Sequence, residues 1–247
     1  MLSLGAAFAV SDPGWELIGS RTQPALVSGA QLLHPTSDLL GCAYLTGVDV
    51  SSYQGIIDWN SLSAAKDFVM MRSTCGVTYV DPKFAFNQSE ARRVGILRGY
   101  YHFSYPDRGN SAIDEADHML GVIGPLQPGE TLCLDYERSY SDCVNWCLEF
   151  LNRVYSQTGV KPLIYLNSYT IRSFDWSPVI DAGYPLWLAC WNANPDPTIP
   201  TRAWPSNAMK QHSSTGSVCG IEPIDLDSFN GDYARFLTYG APATAGR

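Results

Sequence analysis

From Thr46 onward the chain repeats one pattern: short β-branched or apolar runs alternate with amphipathic stretches, as βα units around a parallel sheet require. The runs are Thr46–Val50, Phe68–Ser73, Ile96–Phe103, Thr131–Glu137, Pro162–Asn167, Leu186–Trp191, Met209–His212 and Ile224–Phe229. Between the first five lie helix candidates near 59–67, 82–95, 111–124 and 140–158. Asp81-Pro82 reads as a helix start, with Asp as N-cap and Pro in the first helical position. Ser111 with Asp114 resembles a capping box, and Gly95, Gly124 and Gly159 stand where helices must stop. After the fifth run the helices shorten or vanish, and Pro and Trp multiply between Asp175 and Pro205. This predicts an α/β fold, an irregular (β/α) TIM-like barrel of about eight strands with helices mainly in its first half. Three regions follow: a 1–44 extension without sustained periodicity, a barrel over 45–238, and a flexible tail at 239–247 (YGAPATAGR).

Charge and cysteine usage narrow the function. With 24 Asp and Glu against 16 Lys and Arg the net charge is −8, and no basic patch exists to neutralise phosphates, so nucleic acid is not expected as a partner. Nowhere do 18 apolar residues run together, so no membrane insertion is expected. Met1–Val10 is apolar, but no basic residue precedes Arg21, a poor secretory signal. Seven cysteines, at 42, 75, 133, 143, 147, 190 and 219, show no CxxC pair. Cys143 and Cys147 share a helical face without the second ligand pair a zinc site needs. Buried free thiols, compatible with synthesis in the cytosol, are expected, with one disulfide at Cys219 as the alternative. Aromatic residues reach 12%, enough to stack on sugar rings or simply to fill a core.

The strongest chemical feature is Leu134-Asp135-Tyr136-Glu137 at the end of the fourth run. Strand alternation turns Asp135 and Glu137 to one side, about 6.5–7 Å apart at Cα. The C-terminal strand ends of a parallel barrel form its active face. Two acids there repel, which keeps one protonated as a general acid. Alone, such a pair is as readily a surface strand end. The other runs weaken that reading. The first carries Asp49 within apolar sequence, where an unpaired charge is costly. The second ends near Arg72, the third holds His102, the fifth Tyr165, the seventh Gln211, and the eighth Asp225 and Asp227. Successive strand ends therefore make a convergent polar rim.

These pieces resemble the family 25 glycoside hydrolases, the Chalaropsis-type lysozymes of bacteria, fungi and phage lysins. The matching stretches are Gly47-Val-Asp-Val-Ser-Ser-Tyr-Gln54 with Ile57-Asp-Trp59, Arg72 through Gly76-Val-Thr-Tyr-Val-Asp-Pro82, and Gly99-Tyr-Tyr-His-Phe103. They continue with Leu134–Glu137, Lys161–Tyr165, Pro185–Ala189, Gln211–Ser214 and Ile224–Leu226, in the family's order. The resemblance implies cleavage of the β-1,4 bond between N-acetylmuramic acid and N-acetylglucosamine in peptidoglycan. It implies Glu137 as acid/base, Asp135 as its partner, Asp49 and Asp225 completing an acidic floor, and Arg72, His102, Tyr165, Trp187 and Gln211 lining the groove. His102 and Trp187 could instead be packed and hydrogen-bonded. Where the family has a Gln-Tyr pair this chain has Gln211-His212, and Trp191 replaces a Tyr.

No metal or other cofactor is expected, and a monomer suffices. In the expected mechanism Glu137 donates to the leaving oxygen while ionised Asp135 steadies the positive centre or the substrate's 2-acetamido group. Two other readings stay open: a non-catalytic glycan-binding or virion structural barrel, and a hydrolase of another N-acetylated polysaccharide such as chitin. Without a standard signal, the chain is expected to be made in the cytosol and to act on the wall as a phage or virion-associated lysin. A misassigned start site would instead leave a secreted form.

Overall fold

The computed structural model describes residues 44–201 and 203–243. Apart from Tyr44 the 1–44 extension, Cys42 included, lies outside the described residues. Among the described residues nine strands run β1 Leu45–Val50, β2 Phe68–Cys75, β3 Tyr79–Val80, β4 Leu97–Phe103, β5 Thr131–Asp135, β6 Leu163–Asn167, β7 Leu186–Ala189, β8 Met209–Val218 and β9 Ile221–Phe229. Seven α-helices are interleaved: α1 Trp59–Ala65, α2 Phe84–Val94, α3 Ala112–Ile123, α4 Cys143–Thr158, α5 Ser168–Ser173, α6 Ser177–Asp181 and α7 Tyr233–Leu237. The sheet closes in the order β1-β2-β4-β5-β6-β7-β8-β9 and back to β1, with β3 hairpinned onto the end of β2. It is an irregular α/β barrel. The long helices sit in the first half, and α5 to α7 are only five or six residues each.

Two expectations are corrected. The seventh and eighth runs form one long hairpin, so β9 is antiparallel to both β8 and β1 rather than a further parallel strand. Only Cys219 and Gly220 separate β8 from β9, and Cys219 takes a positive φ of 51° with Gly220 at 79°. A two-residue connection can only reverse the chain. Asp81 does not cap α2. The helix begins at Phe84, and the Asp81 carboxylate accepts from Arg72 Nε, the Ser52 amide and the Lys83 amide at 2.9 Å each. Its Oδ1 holds the Pro82–Lys83 turn that leads into the helix, while Oδ2 is taken by Arg72 and Ser52. Ser111 does cap α3, accepting from the Asp114 amide at 3.1 Å while its hydroxyl donates to the Asp114 carboxylate. Gly95 and Gly159 close α2 and α4 in the left-handed conformation, and Gly124 follows α3 with φ 66°.

Both faces of the barrel wall are buried. Outward residues such as Val48, Val69, Met71, Leu132, Leu134 and Ile164 pack under the helices with Phe150, Leu151 and Trp176. Inward residues form a second core: Phe68, Met70, Leu97, Cys133, Trp187 and Met209, plugged from α7 by Phe236. Glycine is needed where these fill the interior, since a Cβ at Gly47 would sit on the Phe68 ring and one at Gly99 would meet Met70 Sδ at 2.6 Å. Cys75, Cys133, Cys143 and Cys147 are buried free thiols, and Cys219 is exposed and free.

Candidate active site

Each barrel strand carries its inward side chains in alternate positions, and the columns change character toward one end. On β1 the inward series is Leu45, Gly47, Asp49; on β2 Phe68, Met70, Arg72; on β5 Thr131, Cys133, Asp135. The lower layers are apolar and the upper layer is charged. Because β9 runs the other way it delivers its acids first, Asp225 opposite Asp49 and Asp227 opposite Gly47, before the apolar Phe229. Five carboxyls thus converge on one mouth: Asp49, Asp135, Glu137, Asp225 and Asp227.

Asp135 and Glu137 form a coupled carboxyl pair, each acting on the other's proton. Tyr136 between them points the other way into the outer core, so the alternation predicted for this stretch continues past the last residue of β5. Asp135 is 7% exposed, whereas Glu137 is exposed at the mouth of the barrel. Burial and then the neighbouring Glu137 charge push Asp135 well above the usual carboxylate range, against the pull of Arg72. Glu137 is also raised, by burial first and then by the Asp225 charge, while Asp135 and Arg138 hold it down. Two carboxyls in contact cannot both be ionised without large repulsion, so the pair keeps one proton.

The second acid group is Asp49, Asp225 and Asp227. Burial, then the Asp227 and Asp225 charges, raise Asp49 well above its ordinary value. Burial lifts Asp225 to about 6 and, together with Asp225, lifts Asp227 to about 8. Neutral polar groups hold this cluster in place. Gln211 Nε2 donates to Asp49 Oδ2 at 2.6 Å, and Tyr165 Oη and Trp191 Nε1 donate to Gln211 Oε1 at 2.8 and 2.7 Å. Trp187 Nε1 donates to Asp227 Oδ1 at 2.9 Å. The sequence places Asp227 on the polar rim without a role at the site; its parity with Asp225 two residues earlier is the signal that could have assigned one.

Arg72 stands at the edge of the mouth, its Nε on Asp81 at 2.9 Å, one terminal nitrogen on Ser52 Oγ at 3.2 Å, and its guanidinium over the Tyr53 and Tyr79 rings at 5.1 and 5.7 Å. Two of the expected groove residues stand elsewhere. Trp187, 2% exposed, lies under the acids with its ring against Tyr165 and Tyr101, so it supports the floor and lines no groove. His102 is on the outer face of β4, fully buried between Thr74 Oγ1 and Glu115 Oε2 at 2.8 Å each and stacked on Phe150. Tyr101 takes the inward position instead. Among the described residues no group of three or more His, Cys, Asp or Glu is arranged to hold a metal ion. A shared proton beside an open groove, with further carboxyls alongside, can protonate a leaving oxygen and stabilise a developing positive charge.

The model of the glycosyl hydrolases family 25 matches residues 48–221. The chain belongs to this family. It is a glycoside hydrolase. It is 30% identical to lysozyme M1 of Streptomyces globisporus over 242 residues, covering 89% of this chain and 79% of the relative. It is 27% identical to the N,O-diacetylmuramidase of Arthroderma benhamiae, covering 84% of this chain and 92% of the relative. Its fold superposes on the crystal structure of the bacterial lysozyme from Streptomyces coelicolor with a TM-score of 0.68 at 29% identity, over 79% of this chain and 96% of that one. In this family 25 hydrolase the matched span holds Asp49, Asp135 and Glu137, while Asp225 and Asp227 lie past its end.

Proposed function

We propose that this hydrolase is a peptidoglycan muramidase that cuts the β-1,4 bond between N-acetylmuramic acid and N-acetylglucosamine. The observation that carries the reading is the Asp135–Glu137 carboxyl pair at the open end of the barrel. The lysozyme and muramidase relatives support the choice of substrate.

Glu137 is the acid/base, because it is the exposed member of the pair and Asp135 is the buried one. The proton passes from Glu137 to the glycosidic oxygen as the bond from C1 to that oxygen breaks, the departing sugar leaves with it, and a water then adds its oxygen to C1 and returns a proton to Glu137. Asp135, beneath, carries the balancing charge and steadies the cationic C1 or the 2-acetamido group that attacks it. Asp49 and Asp225, with Asp227 behind them, form the acidic floor, and Arg72, Tyr165 and Gln211 set its edges. The barrel over 45–238 is the catalytic unit, working on the wall as a monomer without a cofactor.

Digestion of purified peptidoglycan by the wild type and by Glu137→Gln tests this, with borohydride-reduced products read by mass spectrometry. The wild type is expected to release muramitol ends, and Glu137→Gln to lose about 10²-fold or more of the rate. Glucosaminitol ends would contradict the bond assignment, and full activity in Glu137→Gln would remove it from the mechanism.

A further inference from the structure

Beside the acids lies a second depression of about 380 Å³, walled by Tyr53, Arg72, Tyr79, Tyr105, Arg108 and Asn110. Two arginines and three tyrosines in one pocket is an unusual lining for a protein of net charge −8. The two arginines differ in what they have left to offer. Arg72 is committed, ion-paired to Asp81 and bonded to Ser52. Arg108 is exposed and lies flat on the Tyr105 ring, 3.8 Å from its centroid, with no hydrogen bond or ion pair of its side chain among the described residues. Its neighbour Asp107 is taken by a two-point bond to Arg138 at 2.9 and 2.7 Å. An arginine stacked on an aromatic face keeps its N–H edges open in one plane, the arrangement that receives a carboxylate by two bonds.

The platform beneath Arg108 is rigid. The Tyr105 amide donates to both oxygens of the buried Glu115, at 3.0 and 3.1 Å, and Asn110 Nδ2 donates to the same carboxylate at 2.7 Å. Glu115 is held in turn by His102 Nε2, whose other ring nitrogen bonds Thr74 Oγ1. The outward-facing His102 thus belongs to the support of this wall. The pocket also adjoins the acid pair: Arg72 acts on Asp135, and Arg138, which follows Glu137 in sequence, sits over the same Tyr105 ring at 4.9 Å.

We propose that this pocket is a carboxylate-binding subsite in which Arg108, stacked on Tyr105, takes the acidic substituent of the muramic acid residue, and so helps to set which sugar lies next to Glu137. The inference rests on the muramidase reading. The carboxylate has two sources in a cell wall, the free lactyl group of a peptide-free muramic acid or the first free carboxylate of a stem peptide.

Steady-state kinetics of the wild type, Arg108→Gln and Arg108→Lys would be measured on three substrates. These are peptide-free glycan strands with free lactyl carboxylates, the same strands with those carboxylates converted to neutral methylamides, and soluble peptide-bearing glycan strands. Arg108→Gln is expected to raise KM about tenfold on an anionic substrate with kcat unchanged, a loss of one charge-assisted contact. On the methylamide strands it should match the wild type, and Arg108→Lys should fall between. An effect on the free lactyl strands identifies the lactyl group, and an effect confined to peptide-bearing strands identifies the stem peptide. An equal rise in KM on neutral strands, or no change on any substrate, overturns the subsite while leaving the muramidase reading intact. If the wild type cleaves none of the three, the muramidase reading fails and the subsite falls with it.

Discussion

Gln211 Nε2 donates to Asp49 Oδ2 at 2.6 Å, joining residues 162 positions apart in the chain. The amide cannot turn over, because Tyr165 and Trp191 both donate to its oxygen and leave its nitrogen only Asp49 to face. Gln211→Ala would leave a buried carboxyl oxygen and a buried tyrosine hydroxyl without partners, at about 1–3 kcal/mol each. The expected loss of about 2–6 kcal/mol is read from urea unfolding. Gln211→Glu keeps the size but sets another carboxyl against Asp49. It should be destabilised most at neutral pH and recover in acid, and a pH-independent loss would contradict the electrostatic account.

The activity profile should report the carboxyl pair. Burial raises both Asp135 and Glu137, so the proton needed for leaving-group protonation persists above the ordinary carboxylate range and is lost on the alkaline limb. The Arg138 charge works against this by lowering Glu137. Arg138→Gln should therefore move the alkaline limb of kcat/KM upward, by about a few tenths of a pH unit since the guanidinium is partly in solvent. The displacement should shrink in high salt. A downward shift would reverse the sign and refute the assignment.

The alternation of runs and amphipathic stretches made the first half of the barrel readable, because βα units announce themselves by period and by caps such as Ser111. The acid pair was readable for the same reason: Asp135 and Glu137 share a parity whatever surrounds them. Parity alone does not say which face is inside. In a barrel whose wall is buried on both sides, Tyr101 and His102 are equally plausible inward residues, and only the Glu115 and Phe150 waiting outside settle it for His102. The direction of β9 was hidden because its apolar run, Ile224–Phe229, looks the same read either way. The turn at Cys219-Gly220 decides it, and with it the placing of Asp227 beneath the acids.

Asp227 gives a stability prediction. Burial lifts its carboxyl to about 8 from an ordinary 3.8, so the native state holds a proton the unfolded chain releases easily. Its contribution is complete below about pH 4 and is lost as pH rises through about 8. Asp227→Asn retains an oxygen for the Trp187 indole and cannot ionise. Its Tm should fall less between about pH 5 and 9 than that of the wild type. Parallel Tm curves for the two proteins would show that Asp227 is already ionised in the native state across that range, so that burial does not hold its proton.

Glu130 supplies the opposite case at the far end of β5 from Asp135. Its side chain is buried, and it accepts from Arg92 and Arg98 Nε at 2.8 Å and from the Gln127 amide at 2.8 Å. Burial would raise the carboxyl, but these bonds, led by that of Arg92, hold it at about 2. Its stabilisation is therefore present above about pH 4.5 and lost as pH falls toward 2. Beside it the backbone of Ala241 is tied to the Gly129 amide and the Glu130 main-chain carbonyl at 2.8 and 3.0 Å. Glu130→Gln leaves two arginines without their counter-charge and should cost about 3 kcal/mol, the low end for a broken buried pair because both arginines retain some contact with water. Glu130 stands below the apolar layers, so specific activity per folded molecule should be unchanged. An unmoved urea midpoint would mean that the Arg92–Glu130–Arg98 cluster does not hold the lower barrel together.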